Sequence, residues 1–266
     1  MLEQALNELI QINQPEILIF VTVLAVILVA ISKSGFGGAL GSLGLPVMVF
    51  VFPPKLAIAV LLPLYLITDI FVAYTWRKFP VVKILKIMVL GGLSGQILGW
   101  LCFGYLDDKY ILILIGILAL ITAIRYFKNL IWTKKDTDKS KVDLKPSFLR
   151  GMGWCGFSGF SSFVALTGGI PAQIFLLPLK LERQLFVGTM SFYFLIINLA
   201  KLPFFFDLEV FSPTSILLSL MVLPILPFGI FLGKFLNRTL SDKLFYHISH
   251  FALLCCGINL IGKQIL

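Results

Sequence analysis

Long apolar runs restrict what this sequence can fold into more than any other feature. A membrane-spanning helix needs roughly 20 apolar residues. With 59% hydrophobic and 13% charged residues, the 266-residue chain has more apolar surface than a soluble core can bury. We therefore predict an all-α polytopic protein of the cell's inner (plasma) membrane, with about eight to ten membrane segments. The apolar runs fall at 16–34, 40–52, 55–75, 81–105, 110–128, 148–166, 169–179, 183–205, 213–236 and 243–262.

Two of these runs are too short to cross a bilayer as straight helices. As helices, the runs at 40–52 and 169–179 would be about 17–20 Å long, against a hydrocarbon core of about 30 Å. Each is preceded by or begins with a Gly-rich stretch and has a proline, Pro46 or Pro171, two residues after the last glycine. Proline is tolerated in the first turn of a helix because the N–H that it lacks would have no partner there. We predict half-helices or broken helices that begin at these glycines.

A polar segment divides the chain into two halves. Eight basic and three acidic residues lie between Arg125 and Arg150, and this excess of positive charge predicts a cytoplasmic position. We therefore assign residues 1–128 to a first membrane repeat, 129–147 to a cytoplasmic linker and 148–266 to a second membrane repeat.

The two halves show similar patterns of residues. A shift of 129 positions places Asp69 on Asn198, and shifts of 125 and 134 align further prolines and glycines in the same order. Five crossings in each half would make the repeats inverted, an arrangement found in secondary transporters. If the short runs are instead re-entrant, four crossings per half would give parallel repeats. We favour the inverted arrangement.

The two Gly-rich stretches are the candidate substrate site. A helix that begins inside the protein directs unpaired N–H groups and the positive end of its dipole at whatever lies in front of it, which favours an anion. The alternative is close helix packing, which small residues also permit. The predicted substrate-binding residues are Gly37, Gly38, Gly41, Ser42, Gly44 and Pro46 in the first half, and Ser158, Ser161, Ser162, Thr167, Gly168, Gly169, Pro171, Gln173, Asn198 and Lys201 in the second.

Asp69 is the candidate for proton coupling. An ionised carboxylate within a membrane helix is costly unless it is paired or faces water, so Asp69 is predicted to carry a proton or to organise hydrogen bonds. Its counterpart Asn198 cannot titrate. Lys201, one helical turn later, could balance the charge of an anion, pair with Asp69 or extend to the outer interface. Gln96 is expected to face a cavity or a neighbouring helix.

Other classes of function have little support in the sequence. His247 and His250 could share a helix face, but no carboxylate or thiol has ligand spacing around them, so no metal is predicted. Nucleophile-elbow, P-loop and HExxH motifs are absent, which argues against an enzyme and predicts no cofactor. The net charge of +9 is not gathered into one basic domain, which argues against nucleic acid. The expected partners are a small anion, a coupling ion (most simply H⁺) and the lipid bilayer.

At its two Gly-rich segments the sequence resembles the TauE/SafE sulfite exporter family, also called the toluene sulfonate uptake permease family. The resemblance covers nearly the whole chain and implies a secondary transporter, a permease or exporter of sulfite or an organosulfonate, driven by an ion gradient. The family's run of three glycines is interrupted here in both halves. The matching segments are Gly35-Phe36-Gly37-Gly38 through Leu45-Pro46, and Gly156-Phe157-Ser158-Gly159 through Gly168-Gly169-Ile170-Pro171.

Two alternatives remain open at this stage. An anion channel would conduct without any coupling gradient. A non-transporting membrane scaffold subunit would have its Gly-rich regions packed shut by helix contacts.

Overall fold

The computed structural model describes residues 15–36, 43–132, 146–239 and 242–265, and all regular elements within them are helices. The prediction of an all-α fold is therefore confirmed. The first half contains α1 (Pro15–Phe36), α2 (Gly44–Met48), α3 (Pro54–Thr75), α4 (Val82–Phe103) and α5 (Asp108–Trp132). The second half contains α6 (Phe148–Ala165), α7 (Gly169–Leu176), α8 (Arg183–Asp207), α9 (Pro213–Val222), α10 (Leu226–Thr239) and α11 (Asp242–Ile265).

Most of the predicted linker and the middle of the first Gly-rich stretch, residues 37–42, lie outside the described residues. Residues 133–145 belong to this group, as do four of the predicted substrate-binding residues, Gly37, Gly38, Gly41 and Ser42.

Six segments of the described chain are long and apolar enough to cross a membrane: Glu16–Ser34, Pro54–Thr75, Val82–Phe103, Asp108–Lys128, Gln184–Asp207 and Pro213–Leu236. The last of these combines α9 and α10, which are joined by a 3₁₀ turn at Leu223–Ile225. Large apolar side chains cover the outer surface, and Phe20 and Phe231 are 66% and 70% exposed. Such a surface suits lipid rather than water, so the chain is a multi-pass membrane protein.

The two short helices predicted at the Gly-rich stretches are present. α2 has five residues and α7 has eight, and Pro46 and Pro171 are each the third residue of their helix. α6 ends at Ala165, and the next residue, Leu166, has the left-handed conformation (φ 51°) that turns the chain back. The second Gly-rich stretch is thus helical through Ala165, and the break itself is confined to residues 166–168.

Both short helices begin deep within the helix bundle. Gly168 lies against Ser158 and Ser162 of α6, whereas Phe175 lies against Gly151, so α7 runs back along α6. Gly44, the first residue of α2, lies between α1 and α3. Gly44 and the second Gly-rich break therefore lie in the interior of the protein.

Glycines bring helices of the two halves into close contact. A Cβ at Gly95 of α4 would overlap the backbone of Gly156 in α6, and one at Gly159 would overlap the carbonyl oxygen of Gly92. α1 likewise packs against α10, and α5 against α11. Small residues at such crossings let membrane helices approach closely.

Candidate functional site

Five polar side chains from four helices form a connected network in the core, here called the buried polar network. Lys33 Nζ (α1) donates a hydrogen bond of 2.7 Å to Oδ1 of Asp69 (α3), and Asn198 Nδ2 (α8) donates one of 2.6 Å to Oδ2 of Asp69. Lys201 Nζ (α8) donates to Oδ1 of Asn198 at 2.7 Å and to Oγ of Ser162 (α6) at 2.8 Å. All five side chains are buried.

The charges of this network are unequal. Lys33 and Asp69 form a salt bridge, whereas the hydrogen-bond partners of Lys201 are an amide and a hydroxyl, both neutral. Among the described residues, no carboxylate lies within salt-bridge distance of Lys201. Burying a cation without a compensating anion costs several kcal/mol. A protonated Lys201 would leave the network with one positive charge more than its negative charge.

Aromatic side chains surround the Lys33 ammonium. Its nitrogen lies 4.3 Å from the ring centroid of Tyr65 and 5.7 Å from that of Phe194, within the range of cation–π attraction. The shift that relates Asp69 to Asn198 also relates Tyr65 to Phe194. It further relates Lys33 to Ser162, so four of the five network residues form two equivalent pairs, whereas Lys201 aligns with Val72.

The second Gly-rich break is closed by its own hydrogen bonds. Ser158 Oγ donates to the carbonyl oxygen of Gly168 at 2.6 Å and accepts a bond of 2.9 Å from the Tyr193 hydroxyl. Thr167 Oγ1 lies 3.4 Å from the carbonyl oxygen of Ser161, to which it donates. Because Ser161 directly precedes Ser162, this break adjoins the buried polar network.

Two adjoining cavities open beside α7. The more enclosed one, of about 140 Å³, reaches Thr167 and Pro171. The larger one, of about 500 Å³, is bordered by Gln173 and His250. Arg125, which is exposed, lines both cavities. Three predicted substrate-binding residues therefore border open space, and a cation lies with them.

The structure gathers some of the predicted residues and separates others. Asp69, Asn198, Lys201 and Ser162 meet in the network. Thr167 and Gly168 lie in the second break, and Ser158, Ser161 and Gly169 lie in the helices on either side of it. Gly44 and Pro46 are buried at the start of α2, and a Cβ at Gly44 would meet Val29 and Tyr65. Two interpretations of Lys201 are wrong: it is 0% exposed, which excludes extension to the interface, and Asn198 stands between it and Asp69.

Sequence reasoning missed the role of Lys33. Lys33 was not among the predicted site residues, yet it is 6% exposed and paired with Asp69. Two signals could have identified it. Lys33 immediately precedes the first Gly-rich stretch, and the shift that aligns Asp69 with Asn198 aligns it with Ser162.

The remaining polar residues singled out in the sequence have structural contacts. Gln96 Nε2 donates to the carbonyl oxygen of Ile197 at 2.7 Å, and its buried Oε1 has no partner among the described residues. His247 is hydrogen-bonded to Tyr126, and His250 stacks on the ring of Tyr126 at 3.9 Å. Within the described part of the chain, no group of three or more His, Cys, Asp or Glu residues could hold a metal ion.

Comparison with known proteins identifies the family. The family model described as "Sulfite exporter TauE/SafE" matches residues 22–260, which include both Gly-rich breaks and the whole buried polar network. No curated protein and no solved structure matches the chain significantly. The match spans well over half of the chain and agrees with its multiple apolar helices. The chain therefore belongs to the TauE/SafE sulfite exporter family, a family of sulfite- and sulfonate-type membrane transporters rather than enzymes.

Proposed function

We propose that this protein is a secondary transporter that carries sulfite or an organosulfonate and couples its movement to a proton gradient. The observation that supports this most directly is the buried polar network, which contains two lysines but a single carboxylate, Asp69, and only Lys33 contacts that carboxylate. An anion would supply the negative charge that the network lacks when Lys201 is protonated. It would also attract the network's lysines more strongly in this interior than in water, because the local dielectric constant is lower.

The substrate site that we propose lies between the network and the second Gly-rich break. Ser162 and Lys201 would contact the anion from the network, and the N-terminus of α7 would face it from the second break. Gly169 and Ile170, the first residues of α7, have N–H groups without an intrahelical acceptor, as at the start of any helix. Their partial positive charge adds to that of Lys201.

We propose that the anion reaches this site through the two cavities beside α7. The cavities contain Arg125 at the exposed end and Thr167 near the second break. A cation at the exposed end would raise the local concentration of anions and their rate of entry.

Inverted repeats would provide alternating access around such a site, and the chain directions support them. α1 and α3 run in the same direction, because Lys33 contacts Asp69, and both Val29 and Tyr65 border Gly44. A short turn after Thr75 reverses the chain into α4. α6 runs parallel to α4, because Gly91 lies near Gly151 and Gly99 lies against Phe163. α6 therefore runs opposite to α1, which is the helix that corresponds to α6 in the first half.

Flux into proteoliposomes tests this function. Purified protein would be assayed with sulfite, sulfate, thiosulfate, taurine and methanesulfonate, with and without an inward proton gradient. We expect uptake of sulfite or a sulfonate above empty liposomes, accelerated by the gradient and abolished by Lys201→Met, whereas Lys86→Met at an exposed position should transport normally. Equal flux without any gradient would indicate a channel. Absence of flux for every anion would refute the proposal.

A further inference from the structure

We infer that Lys201 is the residue whose protonation couples proton and anion, and that Asp69 fixes the geometry of the network rather than carrying the proton. This inference rests on the proposed function and assigns its coupling step to one side chain. In the empty state Lys201 is a neutral amine. The proton and the anion then bind together.

The hydrogen bonds of Lys201 fit a neutral amine. An ammonium group has three N–H donors, and the loss of one proton leaves two donors and a lone pair. Among the described residues Lys201 donates two hydrogen bonds, to Asn198 Oδ1 and Ser162 Oγ. Both acceptors are neutral and the side chain is fully buried. A charged ammonium here would lack both a third acceptor and a counter-ion.

The contacts of Asp69, in contrast, favour its ionised form. Each of its carboxylate oxygens accepts one hydrogen bond, Oδ1 from Lys33 and Oδ2 from Asn198. A proton added to Asp69 would remove the negative charge that these donors face, and it would leave the Lys33 ammonium buried without its counter-ion, which is strongly unfavourable. The ionised form is therefore the one that the surrounding side chains stabilise.

Asp69 also determines which end of Asn198 faces Lys201. An amide has a donor end and an acceptor end. Because the Asn198 Nδ2 group is directed at Asp69, its Oδ1 is directed at Lys201. Asp69 thereby holds an acceptor in front of Lys201 and acts as a positioning residue.

The groups that face Lys201 limit the charge of the substrate. The charged ones are Lys33 of α1 and Asp69 of α3, whose charges cancel. The hydrogen-bond partners of Lys201, Asn198 of α8 and Ser162 of α6, do not titrate. The buried hydroxyl of Tyr193 is hydrogen-bonded to Ser158, and the ring of Tyr65 lies beside Lys33.

One added proton therefore creates one net positive charge, which a monoanion neutralises. The transported unit is one proton with one singly charged anion, and both leave together. The substrate class is accordingly a monoanion such as R–SO₃⁻ or hydrogen sulfite, rather than a dianion.

Proton uptake on anion binding tests this assignment. Methanesulfonate is the probe, because it stays ionised over the working pH range, so any proton taken up must go to the protein. Detergent-purified protein would be titrated in weak buffer with a pH indicator. We expect about one proton per bound anion for the wild type, and also for the control Lys86→Arg.

The decisive variant is Lys201→Arg, which keeps the positive charge but does not release its proton near neutral pH. We expect it to bind methanesulfonate without proton uptake. If Lys201→Arg takes up one proton per bound anion, as the wild type does, the assignment is overturned. Loss of proton uptake in Asp69→Asn, with anion binding kept, would then assign the proton to Asp69 instead.

A second measurement covers the case in which Lys201→Arg does not fold. In the protein without bound anion, Lys201 loses its proton at a certain pH. Above that pH the wild-type affinity for methanesulfonate should fall about tenfold per pH unit. An affinity that does not change with pH would overturn the inference while leaving transport in place. If no anion binds at any pH, the proposed function fails first and the inference fails with it.

Discussion

Asn198 donates a hydrogen bond of 2.6 Å to Asp69, and these two residues occupy equivalent positions 129 apart in the two halves of the chain. Equivalent positions of the two repeats are thus in direct contact, and one carries a carboxylate where the other carries an amide. Lys33 completes the network on the carboxylate side, and Lys201 does so on the amide side. Each of these bonds leads to a measurable consequence.

The Lys33–Asp69 pair should show strong coupling in a double-mutant cycle. Either Lys33→Met or Asp69→Asn alone leaves a buried charge without its partner, which typically costs about 3–5 kcal/mol. The double variant removes both charges and should be more stable than either single variant. Thermal unfolding in detergent measures this. Additive losses in the double variant would mean that the two side chains do not interact.

Asn198→Asp should weaken anion binding. The new carboxylate would face Lys201 and supply the counter-charge that we assign to the substrate. We expect methanesulfonate affinity to fall at least about tenfold, or roughly 1.4 kcal/mol. Calorimetric titration gives this value, and Asn198→Gln serves as the neutral control. Full affinity in the Asp variant would contradict a substrate site beside Lys201.

Gly95→Ala should destabilise the contact between α4 and α6. The added Cβ would overlap the Gly156 backbone, and such overpacking typically costs about 1–3 kcal/mol. Gly153→Ala on α6 is the matched control, because a Cβ there meets nothing within 4 Å. That change should be neutral or slightly stabilising, since alanine favours helix over glycine. Equal melting temperatures for both variants would rule out tight packing at Gly95.

Arg125→Ala should slow uptake at low substrate concentration more than at saturation. Removing the cation from the cavities should raise KM several-fold and weaken the salt dependence of uptake, while kcat stays near the wild-type value. Lys109→Ala, at the opposite end of α5, is the control. If kcat falls and KM does not change, Arg125 acts elsewhere in the cycle.

Labelling of single cysteines should place the linker in the cytoplasm. In a variant without the four native cysteines, a cysteine at residue 140 should react only after the membrane is permeabilised. One at Tyr105, which is 90% exposed in the turn between α4 and α5, should react from outside in intact cells. The opposite pattern would reverse the orientation.

Much of the fold could be predicted from the sequence because the controlling features are local. Apolar length predicted the spanning helices, and the Gly-Pro spacing predicted short helices at Gly44 and Gly169. The helical conformation of residues 158–165 was harder to foresee, because their glycines and serines suit both a turn and a close helix contact.

The candidate site depended on contacts that local sequence does not encode. Asp69 and Asn198 were linked in advance only by the repeat. The repeat and the Gly-rich stretch mark Lys33 as a candidate site residue, but they do not indicate that Lys33 rather than Lys201 pairs with Asp69. A lysine near the end of an apolar run is usually a topology signal. Because α1 and α3 run in the same direction, Lys33 instead lies in the protein core beside Asp69.

The glycine contacts between α4 and α6 also bear on how the protein is made. The principal packing partners of α1, α4 and α5 are α10, α6 and α11, all of which are synthesised later. During translation these early helices therefore enter the bilayer before their partners exist. Lipid must solvate the glycine face of α4 until α6 arrives and displaces it, so membrane composition should influence the yield of assembled protein.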